Sequence, residues 1–274
     1  MANQRIEDLP NVSRWYATVR ARPAVERGIK LLIDQWVDVT KSEDARTNLF
    51  GDPQYESSRP SRGGPRGSGM TLPLTLYVDY RSPFSYLATE DARRLERTYN
   101  VRLKWLPFRT DLEGAYGGRV EQRTDRDWRK VRYLYQDARR IAKRRGLVVL
   151  GPQKIFDPRL AHIGMLLALD AGADVFRRYH DEVCGKFWRR ELDIEDRSRM
   201  RTVVVEAGVE GAVFDHALAT GEGDARCRSI IDEAEQRGVF GVPTFVFEST
   251  GELFWGTDRV WLLEERLREF QRAE

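Results

Sequence analysis

The chain has 274 residues, 41% of them hydrophobic, which suffices for one large domain or two small ones with a sizeable core. No run reaches the roughly 18 uncharged apolar residues of a spanning helix, and the first twenty residues carry charges where a secretory signal would be apolar. Those two features make the cytoplasm the expected compartment and argue against a membrane partner, while 46 basic and 43 acidic residues interleaved to a net +3 argue against nucleic acid.

In chain order, Val12, Trp15, Tyr16 and Val19, then Ile29, Leu32, Ile33 and Trp36, recur at helical spacing behind Pro10 and Pro23, and predict two or three short helices. The stretch from Arg59 to Gly69 is rich in Gly, Pro, Ser and Arg, cannot bury a core, and reads as a flexible linker. Leu72, Leu74, Leu76 and Val78 then alternate as a strand and give way to Ser82-Pro83, an N-cap followed by a proline suited to the first helical turn. Val101 to Phe108 reads as the next strand, completing a β-α-β unit. From about residue 120 to 236 the period is helical, with a start signal at Asp157-Pro158 and almost no strand signal. The basic run Arg139 to Arg145 falls where cations suit a helix C-terminus and reads as a solvated face. Thr244 to Glu248, a turn at 249–251, and Glu252 to Trp255 predict a hairpin, and Val260, Leu263, Leu267 and Phe270 share one face of a last helix. The order βαβ, helices, ββα is an α/β sheet interrupted by an inserted helical subdomain.

Three sequence-distant segments carry polar or backbone groups at turns. In Asp79-Tyr-Arg-Ser-Pro-Phe-Ser-Tyr-Leu87, Ser82 stands at a helix N-terminus, where free N–H groups and the macrodipole favour an anion. In Gly238-Val-Phe-Gly-Val-Pro-Thr-Phe245, Pro243 opens a strand and is compatible with a cis peptide that leaves the backbone of Val242 available for pairing. In Phe254-Trp-Gly-Thr-Asp-Arg259, Thr257 and Asp258 open the last helix. Taken singly, each has an ordinary reading: Ser82, Thr257 and Asp258 as caps, Pro243 as a trans strand start. His180 and Cys184 share a helix face at i and i+4, but no second ligand pair accompanies them, and no metal is expected. The aromatics Tyr133, Tyr135, Phe187 and Trp188 read as core or cleft wall, with stacking on an aromatic substrate as the alternative.

Taken together, these segments resemble 2-hydroxychromene-2-carboxylate isomerases and the related kappa-class glutathione transferases, over about Leu74 to Leu267. Lys130, Tyr133, Asp137 and Arg140 add weaker matches. The resemblance implies a thioredoxin-like fold of the DsbA type over residues 71–274, with the helical insertion at about 120–236 and a linker at 59–70. It also implies glutathione as cofactor. Ser82 would hold its sulfur as thiolate, Val242 before Pro243 would pair with its cysteinyl backbone, and Thr257 and Asp258 would hold its glutamyl end. The thiolate would act as a reversible nucleophile on a small aromatic or conjugated substrate. DsbA-like disulfide enzymes need CxxC where this chain has Ser82-Pro-Phe-Ser85, so thiol exchange at that position is ruled out. The loop Arg109 to Gly118 is more charged than the family would have it, which leaves the aromatic carboxylate substrate open. A kappa-class-like transferase, a DsbA-family thiol oxidoreductase without its own CxxC, and a non-catalytic glutathione-binding protein remain as alternatives, and a homodimer is left open. Residues 1–58, through Leu9-Pro-Asn-Val-Ser-Arg-Trp-Tyr16 and Ala21 to Gly28, resemble the C-terminal helices of a cytosolic glutathione transferase, without the part that would bind glutathione.

Overall fold

The computed structural model describes residues 10–22, 25, 71–116 and 118–272, and the chain divides into two compact units, Met1–Pro60 and Ser61–Glu274. In the first, the periodic stretch behind Pro10 forms helix α1 (Pro10–Arg20), on which Val12, Trp15 and Tyr16 are exposed. The helix expected around Ile29 to Trp36 and the expected linker lie outside the described residues.

The second unit opens with strand β1 (Leu72–Val78), helix α2 (Pro83–Thr98) and strand β2 (Val101–Pro107). β1 and β2 run parallel, from Leu72 opposite Val101 to Val78 opposite Pro107. Strands β3 (Thr244–Phe247) and β4 (Glu252–Trp255) form the predicted hairpin, and β3 pairs antiparallel with β1, giving a four-stranded sheet in the order β2-β1-β3-β4. Helix α10 (Val260–Arg272) follows, after a 3-10 turn at Thr257–Arg259.

The alternation in β1 predicts one buried face, yet Thr75 and Tyr77 are buried as well. The reason is that the sheet is covered on both sides. Leu74, Leu76 and Val78 pack with Leu87 and Leu95 of α2 and with Leu263 and Leu267 of α10, while Tyr77 packs with Phe108, Ala234, Val239 and Val246. A strand covered on both faces has no solvated side to record.

The inserted helices are the short α3 (Leu112–Ala115), then α4 (Asp125–Arg144), α5 (Arg159–Ala171), α6 (Ala173–Trp188), α7 (Arg197–Ala207), α8 (Gly211–Ala219) and α9 (Glu222–Gln236). A reciprocal cap between Thr124 and Asp127 starts α4. Gly164 lets α5 meet α6 closely, since a Cβ there would stand 2.4 Å from the Tyr179 hydroxyl, which itself donates to the Ala161 carbonyl at 2.8 Å. The basic run at the end of α4 is not a purely solvated face. Arg145 donates to the Leu87 carbonyl and to Asp91, and Arg139 donates to the carbonyls of Val149 and Leu150, so both arginines dock the helix end onto neighbouring backbone. Among the described residues no helix is long and apolar enough to cross a membrane.

Candidate functional site

The turn after β1 is built around Asp79, whose buried carboxylate accepts from the backbone N–H groups of Arg81 (2.9 Å) and Thr110 (3.0 Å) and from the Arg81 guanidinium. Burial alone would raise this carboxyl. The adjacent Arg81 charge and its hydrogen bonds more than offset that, and hold Asp79 below the usual carboxylate range. Arg81 in turn donates to the Thr110 carbonyl at 3.0 Å, so one ion pair fixes the ends of both β1 and β2. His162 of α5 lies 3.8 Å from Asp79; burial pushes its pKa down to about 4 against the attraction of that carboxylate, so the ring is neutral at pH 7.

Ser82 follows with extended backbone, and its Oγ accepts the Ser85 N–H at 3.2 Å. The cap uses only the oxygen's lone pair, which leaves the hydroxyl proton for a second partner. Ser82 lines a cleft of about 1370 Å³. Within the first turn of α2, Pro83 has no N–H, Ser85 donates to the Ser82 side chain and Tyr86 donates to the Ser82 carbonyl. The Phe84 N–H therefore has no partner among the described residues, and Phe84 also lines the cleft. Ser85 differs from Ser82: its hydroxyl is buried and accepts the Asp79 N–H at 3.3 Å.

The other two segments face the same cleft. The Val242–Pro243 peptide is cis, not the ordinary trans strand start, and neither the N–H nor the C=O of Val242 has a partner among the described residues. The Thr244 hydroxyl donates to the Gly241 carbonyl at 2.7 Å, and the Gly256 N–H to the Pro243 carbonyl at 2.8 Å, which ties this turn to the next segment. Thr257 and Asp258 do not open the helix itself; they form the separate 3-10 turn ahead of α10, because Gly256, at φ +97°, turns the chain first. A Cβ on Gly256 would lie 2.4 Å from Asp258 Oδ1, so the glycine leaves room for that carboxylate. Asp258 is 72% exposed and pairs with neighbouring Arg259 at 2.7 Å, a contact weak enough to exchange for another cation. Ser82, Val242, Pro243, Thr257 and Asp258 thus line one cleft, despite their separation in sequence.

The facing wall is not evident from the sequence. Tyr116, Arg123 and Trp128 line it, with the Arg123 guanidinium 6.0 Å from the Tyr116 ring centre and 5.4 Å from that of Trp128. Tyr135 and Phe187 also line the cleft, whereas Tyr133 is exposed and Trp188 is buried and stacked against Tyr86. Lys130 and Arg140 are held in ion pairs along α4. His180 and Cys184 are buried, with the ring contacting the Tyr80 and Thr89 hydroxyls at 3.3 and 2.9 Å and Cys184 Sγ at 3.6 Å. Among the described residues, no three His, Cys, Asp or Glu gather as a metal site would require.

A family model for a DSBA-like thioredoxin domain matches residues 74–268. A 2-hydroxychromene-2-carboxylate isomerase of Pseudomonas putida is 28% identical over 196 residues, which cover 71% of this chain and 93% of the relative. Glutathione S-transferase kappa 1 of Rattus norvegicus is 24% identical over 207 residues, 72% of this chain and 91% of the relative. A solved structure of a 2-hydroxychromene-2-carboxylate isomerase matches with a TM-score of 0.61 at 26% identity, covering 74% of this chain and 97% of that one.

Proposed function

The chain belongs to the DSBA-like thioredoxin domain family, and from that premise we propose that it is a glutathione-dependent isomerase acting on a small conjugated substrate. The observation that carries the reading is the convergence on one cleft of three groups without a partner among the described residues: the Ser82 hydroxyl proton, the Phe84 N–H and the Val242 backbone. These fit a tripeptide thiol. Val242 offers an N–H and a C=O to the backbone of an extended peptide. Asp258 offers a carboxylate to an ammonium group, and the Ser82 hydroxyl and Phe84 N–H offer two donors to an anion at a helix N-terminus.

Bound glutathione supplies a thiol whose anion adds reversibly to a conjugated double bond, so that the bond can rotate. The chain's own part is to hold that anion. A free thiol has a pKa of about 8.5 and is mostly protonated at neutral pH, so donors from Ser82 and the start of α2 raise the reactive fraction. The protein's own sulfur does not serve: positions 82 and 85 are serines, Cys184 is buried, and burial pushes the Cys227 thiol up to about 11.

The similarity to a kappa glutathione transferase favours conjugation as a second reading. One assay separates them. The protein is given 2-hydroxychromene-2-carboxylate with and without glutathione, and the ultraviolet spectrum is followed; in parallel, 1-chloro-2,4-dinitrobenzene tests conjugation. Glutathione-dependent isomerisation without consumption of thiol supports the isomerase, while stoichiometric thiol loss to the dinitrobenzene alone moves the assignment to a transferase. Failure of glutathione to bind by calorimetry rejects both. The same proposal takes residues 71–274 as the working unit, residues 59–70 as a linker, and residues 1–58 as a piece without a glutathione site.

A further inference from the structure

Among the described residues, four side-chain nitrogen or oxygen atoms are buried without a hydrogen-bond partner, and two of them, Thr110 Oγ1 and Arg123 Nε, belong to residues lining the cleft. Buried polar groups are ordinarily satisfied, so each of these two, on a residue that lines the cleft, calls for a partner. Arg123 is distinctive in a second respect. The other cleft cations are mostly occupied: Arg81 by Asp79, Lys154 by Glu195, Arg259 by Asp258, and Arg139 and Arg190 by the backbone carbonyls of residues 149–151. Arg132 is exposed on α4. Glu121 and Asp125, the acids nearest Arg123 in sequence, are exposed, and no ion pair joins either to it among the described residues, while Asp127 is turned toward Thr124 and Lys130. The groups facing it are rings. Burial raises the Tyr116 hydroxyl against the opposing pull of Arg123, and pushes Tyr135 up to about 12, so neither phenol ionises to neutralise the guanidinium at pH 7.

We propose that Arg123, held between Tyr116 and Trp128, receives a carboxylate of the second substrate in the cleft and sets the enzyme's preference for anionic conjugated compounds. The inference rests on the proposed reading of the cleft as a substrate site. A guanidinium stacked on aromatic faces keeps its N–H edge free, and that planar fork matches a carboxylate in two parallel hydrogen bonds. The flanking rings offer faces for a flat conjugated system attached to the anion. The charged residue thus selects and orients, while the thiolate end of the cleft carries out the addition.

The test pairs two probes that differ in charge at one group, cinnamate and cinnamamide, titrated by calorimetry into the full-length protein with and without saturating glutathione. Wild type is expected to bind cinnamate at least tenfold more tightly than the amide, as charge-assisted pairing implies, and Arg123→Gln to bind the two equally. No preference in wild type, or a preference retained in Arg123→Gln, overturns the assignment. Glutathione is titrated separately; its failure to bind wild type rejects the proposed function and leaves the cinnamate comparison standing. Should Arg123→Gln not fold, phenylglyoxal labelling of wild type read by mass spectrometry replaces it. Cinnamate, but not cinnamamide, is expected to slow modification of Arg123 severalfold, and equal labelling overturns the inference.

Discussion

One wall of the cleft is assembled from Ser82, Val242 and Asp258, brought together from separate turns of the chain, whereas Tyr116, Arg123 and Trp128 of the facing wall lie within a dozen or so residues of one another in sequence. The first presents groups fixed by backbone geometry: a capping hydroxyl, the Phe84 N–H beside it, and the Val242 backbone ahead of Pro243. The second presents side chains stacked on one another beside a four-residue helix. Backbone-fixed groups keep their places when a neighbour changes, so the first wall suits a constant ligand. A stacked arginine depends on the identity of the rings around it, so the second wall suits the choice of substrate.

The largest effect that sharpens this contrast is expected at the first wall. Ser82→Ala removes a donor to a charged group, worth roughly 1.5 to 3 kcal/mol, and should lower turnover about ten- to a hundredfold with little change in glutathione affinity. Steady-state kinetics beside calorimetry will show whether rate and binding separate in this way; equal losses in both would make Ser82 a general binding group. The helix also loses its cap, so melting should fall by the equivalent of about 1 kcal/mol.

Acid should weaken the frame beneath the same wall by a comparable amount. His162 is held neutral, with a pKa of about 4 in the fold against about 6.5 when unfolded. The unfolded chain therefore binds more protons between these values, and the stability conferred by His162, present above pH 6.5, declines as the pH falls toward 4, by about 3 kcal/mol in all. Buried His180, pushed down to about 3, acts in the same direction. Chemical denaturation at pH 7.5, 6 and 5 should give falling midpoints, with a shallower fall in His162→Gln; midpoints that stay level would place His162 in contact with water.

The glutamyl end should respond more gently. Asp258 is exposed and caps nothing, so Asp258→Asn should weaken glutathione by a few-fold and leave melting unchanged. Gly256→Ala should show the same loss of affinity by displacing the Asp258 carboxylate, together with reduced stability from a side chain at φ +97°. If Gly256→Ala weakens binding and Asp258→Asn does not, the turn rather than the charge holds the ligand. The smallest expected effect is none: a chain beginning at Met70 should bind glutathione as the full chain does, and lost binding would bring residues 1–69 into the working unit.

The pieces of the first wall are announced locally as caps and turns, and the family resemblance is what drew them together as one site. Ser82-Pro83 is a helix start, Val242-Pro243 a strand start, and Gly251 and Gly256 mark turns, with positive φ at both glycines. The succession of strands and helices along the chain was readable from periodicity in the same way, whereas the strand order β2-β1-β3-β4 comes from the structure. What escaped depends on burial that only the tertiary structure supplies. His162 lies in an apolar helical run and looks like core until Asp79 is found 3.8 Å away. Tyr116, Arg123 and Trp128 follow no period, and their contact arises only once α4 folds back on the loop after β2. Asp79 gave a faint local signal, since an aspartate two residues before an arginine at a strand end can tie off the turn, but its full burial was not legible.

The account stands most directly on the state of the sulfur beside Ser82. Ultraviolet thiolate absorbance of glutathione bound to wild type, followed against pH, should give a thiol pKa clearly below the free value of about 8.5, and the same titration in Ser82→Ala should move back toward it by about one to two units. A bound thiol that titrates like free glutathione in wild type, or identically in both proteins while Ser82→Ala melts earlier, would contradict the account and leave Ser82 as a helix cap alone.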